Sequence, residues 1–553
     1  MKHKKRNVWI IISFVLLTSL SIGFVRNDFE IAKNLDIYAT LLRQLNENYV
    51  DDINVSDLVE GSIKAMLNKM DPYTVFYPES QMEEFKLLTT GHYGGIGATI
   101  LQEEEYVVVS EPYEGTPAYK SGLQAGDKIV KVNDKDVKNK TVSDVSALLR
   151  GQPGTTVKLD IIPYGRKSII SKNIVREEIK FPNVTYSGKV SDDIGYIYLS
   201  QFMENASLDV KNAFLALKEE GINSLILDLR GNGGGLLNEA VDLVNLFVDK
   251  GELIVSTKGK LADKNQLYYT RNEPIDTKIP LIVLVDAYSA SASEIVSGAI
   301  QDLDRGVVVG QRTYGKGLVQ NVLPLSYNTK LKVTVSKYYI PSGRCIQKID
   351  YSDKDSSGNS KSKIDSNAVA FKTKNGRTVY DYGGVEPDIV ITPETYSTIL
   401  LAMLEKRIIF NYANEFKLKN NKIPSAKDFV FTNEMYDDFL AYVANQHIEY
   451  ETFTEKQIKS LEQSVKDDKF STEVNKEIKE LKEAVQKEKN NDLQRYKKEI
   501  KELLTLEIVN RYYYQKGRIE ASLQIDPEMI KAKELLHNPH EYSVLLKANS
   551  KKK

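Results

Sequence analysis

Apolar positions along the chain keep a helical period at both ends and a strand period in the middle. In residues 29–88, Leu41, Leu42, Leu45, Val50, Leu58, Ile63 and Leu67 recur at roughly helical spacing, and Asp71-Pro72 breaks the pattern. Short helices are expected there. From residue 91 to about 175, β-branched runs such as 106–109 and 128–132 alternate with glycine-rich turns, which predicts short strands. Between residues 190 and 393 strands alternate with helices. The strands are expected at 222–229, 281–285, 306–309 and 331–335, and the helices at 236–247 and 294–303. That alternation argues an α/β fold. Residues 351–367, rich in Ser, Asp and Lys, read as a flexible surface loop. Beyond residue 395 the chain is charged and helical. Residues 455–511 carry both charge signs with Leu, Ile and Val at helical intervals, the pattern of a helical appendage with solvated faces.

The N-terminus differs from everything after it. Residues 1–6 are mostly basic, and residues 8–25 form an uncharged run rich in Ile, Leu, Phe and Val. A basic flank before an apolar stretch marks a signal peptide or signal anchor, and this run just suffices to span a bilayer. No clear small-x-small cleavage site precedes Arg26, which favours an uncleaved anchor. Positive charge stays inside, so the bulk of the chain is expected outside the cytoplasm, on the periplasmic side of the inner membrane.

Composition narrows the classes. With 553 residues, three or four domains of roughly 150 residues each are expected. Lys and Arg total 75 against 76 Asp and Glu, so no basic excess suggests a general nucleic-acid binder. A mean hydropathy of -0.36 excludes a polytopic membrane protein. One cysteine, Cys345, rules out an intrachain disulfide and a four-thiolate zinc site. Neither a metal nor a cofactor is expected.

Three glycine- or serine-rich segments carry candidate chemistry. Residues 310–317 hold two glycines and Lys316 at P-loop spacing. Gly317 stands where Ser or Thr would hold magnesium, and the following apolar run suits a strand, not the helix a P-loop opens. Ser291 and Glu294, in Ser289-Ala290-Ser291-Ala292-Ser293-Glu294, form an S-x-x-E pattern after a buried strand. It fits a capping box, or a nucleophilic serine at a helix N-terminus. A serine nucleophile needs a base. The histidines lie at positions 3, 92, 447, 537 and 540, away from this region. A lysine is then the natural base, provided burial lowers its pKa, and Lys316 is the candidate. Gln320, four residues on, shares its face and could orient the amine. The third segment, residues 229–236, follows a strand and opens a helix. Its glycine turn suits backbone N–H donors for an oxyanion.

Taken together, these residues resemble the carboxy-terminal processing, or tail-specific, serine peptidases of the S41 family, over about residues 38–393. The most specific stretch runs from Ser289 to Gln320: S-A-S-A-S-E-I, then V-V-V-G, then Y-G-K-G-L-V-Q. Residues 338–347 and 379–388 also resemble family segments. The resemblance implies a crotonase-like α/β peptidase domain, with Ser291 as nucleophile, Lys316 as general base and Gln320 as the orienting residue. Ser289 and Ser293 are the competing serines. The oxyanion donors would be the backbone of Ala292 and of Gly233 or Gly234. Gly94-Gly95-Ile96-Gly97 with residues 121–129 resembles a bacterial PDZ domain, whose glycine loop holds a peptide's terminal carboxylate beside a sheet edge.

The domain organisation implied is an anchor or signal peptide at 1–27, an N-terminal helical region at 28–90, a PDZ domain at 91–175, a peptidase domain at 176–395 and a C-terminal helical region at 396–553. The expected function is an exported serine endopeptidase acting near the C-termini of protein substrates. The expected partners are substrates with free C-termini and the membrane. A homodimer is compatible with this, and nucleic acid is not expected. The alternatives are a catalytically inactive PDZ scaffold and a P-loop nucleotide hydrolase.

Overall fold

The computed structural model describes residues 28–82, 85–86, 90–354, 360–362, 368–381, 383–393, 395–446, 448–469 and 472–548. The expected anchor, residues 1–27, lies outside them. Among the described residues no helix is long and apolar enough to cross a membrane. The chain divides into two compact units. One comprises residues up to Glu79 with Asn321–Val333; the other holds Ser80–Gln320 and Thr334–Lys553.

In the smaller unit, residues 28–48 are helical and are followed by the helix Val55–Leu67, whose Asn54 side chain caps its N-terminus. Strand Val75–Tyr77 pairs antiparallel with residues 330–332. Phe29, Ile31, Leu35, Leu41 and Met66 are all exposed.

The larger unit begins with the PDZ-like segment. Strands Ala98–Glu103, Tyr106–Pro112, Lys128–Val132, Thr156–Ile162 and Ile170–Val175 form an antiparallel sheet in that order. Ala98–Glu103 is an edge strand. The helix Val142–Leu149 packs its buried Val145 and Leu149 into the same core as Val107, Val109, Ile129 and Leu159.

A second sheet of this unit has the strand order Val184–Lys189, Ile194–Leu199, Ser224–Asp228, Leu281–Val285, Val307–Gly310 and Ile389–Val390, parallel after the first antiparallel pair. Its central strands are continuous apolar runs, as expected of a parallel sheet buried on both faces. Alternation assigns the faces. Leu225, Leu227, Leu281, Val283, Val285 and Val308 pack against the helices Ala206–Glu219, Leu237–Val244 and Ala292–Asp302. Ile226, Ile282, Leu284, Val307 and Val309 point the other way, onto Leu523, Met529, Ala532 and Leu535.

Those last residues belong to the C-terminal region, which corrects part of its reading as an appendage. The helix Phe453–Asp467 and its neighbour Thr472–Lys489 do have largely solvated faces, joined by a small core of Ile458, Val465 and Ile478. Helix Pro527–Leu536 instead closes the second face of the parallel sheet, and Tyr542 Oη hydrogen-bonds the backbone of Leu281. The expected flexible loop at 351–367 is also corrected in part. Ile349–Lys354 and Ser360–Ser362 pair as antiparallel strands, while 355–359 and 363–367 lie outside the described residues.

Candidate active site

The site lies where three loops leave the parallel sheet at the C-terminal ends of its strands, the usual location in such folds. Ser291 begins the helix Ala292–Asp302 with φ 56° and ψ -110°. A non-glycine residue held there stores about 1–3 kcal/mol of backbone strain. Its backbone is fixed on both sides: its N–H donates to Glu294 Oε2 at 2.8 Å, and its carbonyl accepts from Tyr338 Oη at 3.1 Å. Ser291 is half-buried, whereas Ser289 and Ser293 are fully buried. Ser289 Oγ donates to Leu229 O and Ser293 Oγ to Asn232 O, both at 2.8 Å, so these hydroxyls serve the loops' backbone.

Glu294 has a larger part than a cap. Its carboxylate is fully buried and accepts four hydrogen bonds. Oε2 takes the N–H groups of Ser291 and of Lys316, the latter at 2.9 Å. Oε1 takes Gly315 N–H at 2.7 Å and Thr313 Oγ1 at 2.6 Å. Burial pushes this carboxyl above its ordinary range, against the opposing pull of those donors. One carboxylate oxygen therefore brings the backbones of Ser291 and Lys316 together. The sequence signalled this residue only as the last position of S-x-x-E.

Lys316 is half-buried between two glycines pressed against the next segment. A Cβ on Gly315 would lie 2.6 Å from Lys348 Cβ, and one on Gly317 would lie 2.8 Å from Gln347 N. Gly317 is followed by strand Leu318–Pro324, not a helix. The Gly315 and Lys316 N–H groups are also committed to a carboxylate, so the segment does not cradle a phosphate. Gln320 lies on this strand, half-buried, with Nε2 on Thr334 Oγ1 at 3.2 Å.

The glycine turn reaches the serine from the neighbouring strand. Asn232, fully buried, holds it: Nδ2 donates to Leu199 O, Oδ1 accepts Gly234 N–H at 2.9 Å, and the Asn232 carbonyl accepts Ala290 N–H. Of the two glycines proposed as donors, Gly234 thus has its N–H engaged. The N–H groups of Gly233 and Ala292 have no acceptor among the described residues. Gly234 has φ +97°, and a Cβ there would lie 2.6 Å from Ala290 O and 2.8 Å from Ser291 Cβ. Gly234→Ala is therefore expected to displace the serine loop and lower kcat by about 100-fold, measured on unfolded casein. Wild-type kcat in that variant would show that the close approach is immaterial.

In the PDZ-like segment, Gly94 and Gly95 lie in strand His92–Gly95, paired with Glu177–Lys180. Ile96 turns its side chain into the PDZ core, so only its backbone can meet a ligand. Gly97, at φ +75°, opens the edge strand; a Cβ there would fall 2.5 Å from Thr116 Cβ.

Comparison with known proteins gives the same class. The profile of peptidase family S41 matches residues 193–356, that of a PDZ domain residues 108–163, and that of a "Probable PDZ-protease, C-terminal helical domain" residues 399–536. The chain is 34% identical over 327 residues to a carboxy-terminal-processing protease of Bartonella bacilliformis, covering 58% of this chain and 75% of the relative. It is 34% identical over 306 residues to the carboxy-terminal processing protease CtpA of Bacillus subtilis, covering 55% and 65%. A solved photosystem II D1 C-terminal processing protease aligns at 29% identity and a TM-score of 0.36, over 66% of this chain and 88% of that one. The chain belongs to peptidase family S41, among the carboxy-terminal processing proteases, and is a serine-type endopeptidase.

Proposed function

We propose that Ser291 and Lys316 form the catalytic dyad of an exported endopeptidase that cleaves proteins near their C-termini. The observation that carries this is the pair of hydrogen bonds from Ser291 N–H and Lys316 N–H to one buried oxygen of Glu294. Ser291 Oγ attacks the scissile carbonyl carbon while the neutral Lys316 amine takes the hydroxyl proton. The carbonyl oxygen becomes the oxyanion, held by the Ala292 N–H at the start of its helix and by the Gly233 N–H. The intermediate collapses, the C–N bond breaks, and Lys316 returns the proton to the leaving amine. Water then attacks the acyl-serine with Lys316 again as base, releasing the acid and restoring Ser291. Gln320 orients the Lys316 amine.

The PDZ-like segment selects the substrate in this reading. The edge strand Ala98–Glu103 pairs with the substrate backbone, and backbone N–H groups along Gly94–Gly97, where the paired strand His92–Gly95 turns into it, receive the substrate's terminal carboxylate. Tethering in one chain keeps bound substrate at high effective concentration near Ser291. The basic and apolar pattern of residues 1–25 supports anchoring in the inner membrane with the enzyme on the periplasmic side. The exposed apolar residues Ile31, Leu35 and Leu41 support a homodimer. The test is an unfolded substrate supplied with a free or an amidated C-terminus. Amidation is expected to change the cleavage rate in the full chain and not in a chain lacking residues 91–175. Identical rates for both substrates in both chains would remove the PDZ role.

A further inference from the structure

The glycine turn is braced from outside the peptidase sheet. Arg230, which opens it, has little exposure, and three of its nitrogens face Asp228. The backbone N lies 2.9 Å from Oδ1, Nε 3.0 Å from each carboxylate oxygen, and Nη2 2.6 Å from Oδ2. Asp228 also accepts Tyr196 Oη at 2.8 Å. These contacts are local to the end of one strand and its neighbour. The remaining nitrogen, Nη1, is held by the C-terminal helical region: Asp526 Oδ2 at 2.7 Å and Glu528 Oε2 at 3.4 Å. Asp526 uses its other oxygen to cap the helix Pro527–Leu536, accepting Met529 N–H at 3.0 Å. That helix is seated on the sheet by Met529, Ala532 and Leu535, all fully buried.

We propose that Asp526 and Glu528 are positioning residues for catalysis, so that the C-terminal helical region completes the active site. A guanidinium gripped on one edge by a carboxylate two residues away can still swing with its own loop. Gripping the opposite edge from a separately anchored helix fixes its plane. Arg230 then fixes the start of the turn, Asp286 holds Gly231 N–H at 3.0 Å, and Asn232 fixes the middle. The Gly233 N–H keeps its aim at the oxyanion only while all three hold. Small displacements matter here, because a donor misplaced by about 1 Å can cost about 100-fold in rate. This inference rests on the reading of Gly233 as an oxyanion donor.

The experiment uses the full chain with Asp526→Asn, Glu528→Gln and both together. Asparagine still caps a helix, so Asp526→Asn removes the negative charge that faces Arg230 and keeps the helix start. With unfolded casein as substrate, the double variant is expected to lose about tenfold in kcat with KM within about twofold. Hydrogen exchange of the amides at 230–236 is expected to quicken, without a change in the PDZ core. Tyr542→Phe, which removes a different contact between the helical region and the sheet, is expected to keep wild-type kcat. Unchanged exchange and kcat in the double variant would overturn the proposal. So would an equal loss in Tyr542→Phe, which would mean that any loosening of the helical region has the same effect. Faster exchange at 230–236 with unchanged kcat would instead refute Gly233 as the donor, and the proposal with it.

Discussion

Replacing Ser291 with alanine is expected to lower proteolysis by about 10⁴–10⁶-fold, with the thermal unfolding midpoint unchanged. The backbone of Ser291 is held by Glu294 and Tyr338 and does not depend on the hydroxyl. Lys316→Ala should fall as far, because in the proposed dyad nucleophile and base act as a unit and their losses do not add. Gln320→Ala is expected to be impaired less, since in the proposed mechanism it orients the amine and transfers no proton. Ser289→Ala gives the opposite pattern. It removes a buried hydrogen bond to Leu229 O, so its main effect is a stability loss of about 1 kcal/mol. Substantial activity in purified Ser291→Ala protein would move the nucleophile elsewhere.

The second large effect is expected at Glu294. Its four donors point at one fully buried carboxylate. Glu294→Ala removes the acceptor altogether and leaves the N–H groups of Ser291, Gly315 and Lys316 without it. Buried donors without partners cost about 1–3 kcal/mol each, so a loss of about 3 kcal/mol in stability is expected. Activity should fall by about 100-fold at temperatures where the variant remains folded, because the Ser291 and Lys316 backbones lose their common anchor. Denaturant unfolding measures the first effect and kcat in the folded range the second. A variant as active as the wild type would mean that the loops hold their places without this carboxylate.

The parallel sheet was legible in the sequence wherever a strand was an unbroken apolar run. Leu281–Val285 coincides with its expected range and Ser224–Asp228 falls within its own; in the antiparallel PDZ sheet, Lys128–Val132 also coincides with its range. The seat of the C-terminal helices was not legible. Met529, Ala532 and Leu535 show helical spacing, but such spacing does not say which surface the apolar face will meet. The paired strands Ile349–Lys354 and Ser360–Ser362 were hidden by their polar composition, because their ladder is made by backbone groups.

In the site, the glycines near Ser291 and Lys316 could be read, since each allows a close approach that a Cβ would block. What could not be read was which donor stays open. Gly233 and Gly234 are indistinguishable until Asn232 Oδ1 is seen to take the Gly234 N–H. Glu294 and the Arg230–Asp526 contact were hidden for a similar reason. A capping glutamate and a surface aspartate look ordinary until distant segments are brought to them. Arg344, noted only within a family-like segment, is a fully buried partner of Asp302 at 2.9 Å and shapes the helix behind the serine.

The most direct test is mass spectrometry of protein C-termini in cells carrying either the wild-type chain or Ser291→Ala. The serine-peptidase account predicts that a set of exported proteins keeps longer C-termini in the Ser291→Ala cells, with the shortened forms found only with the wild type. Identical C-termini in both would contradict C-terminal processing by Ser291.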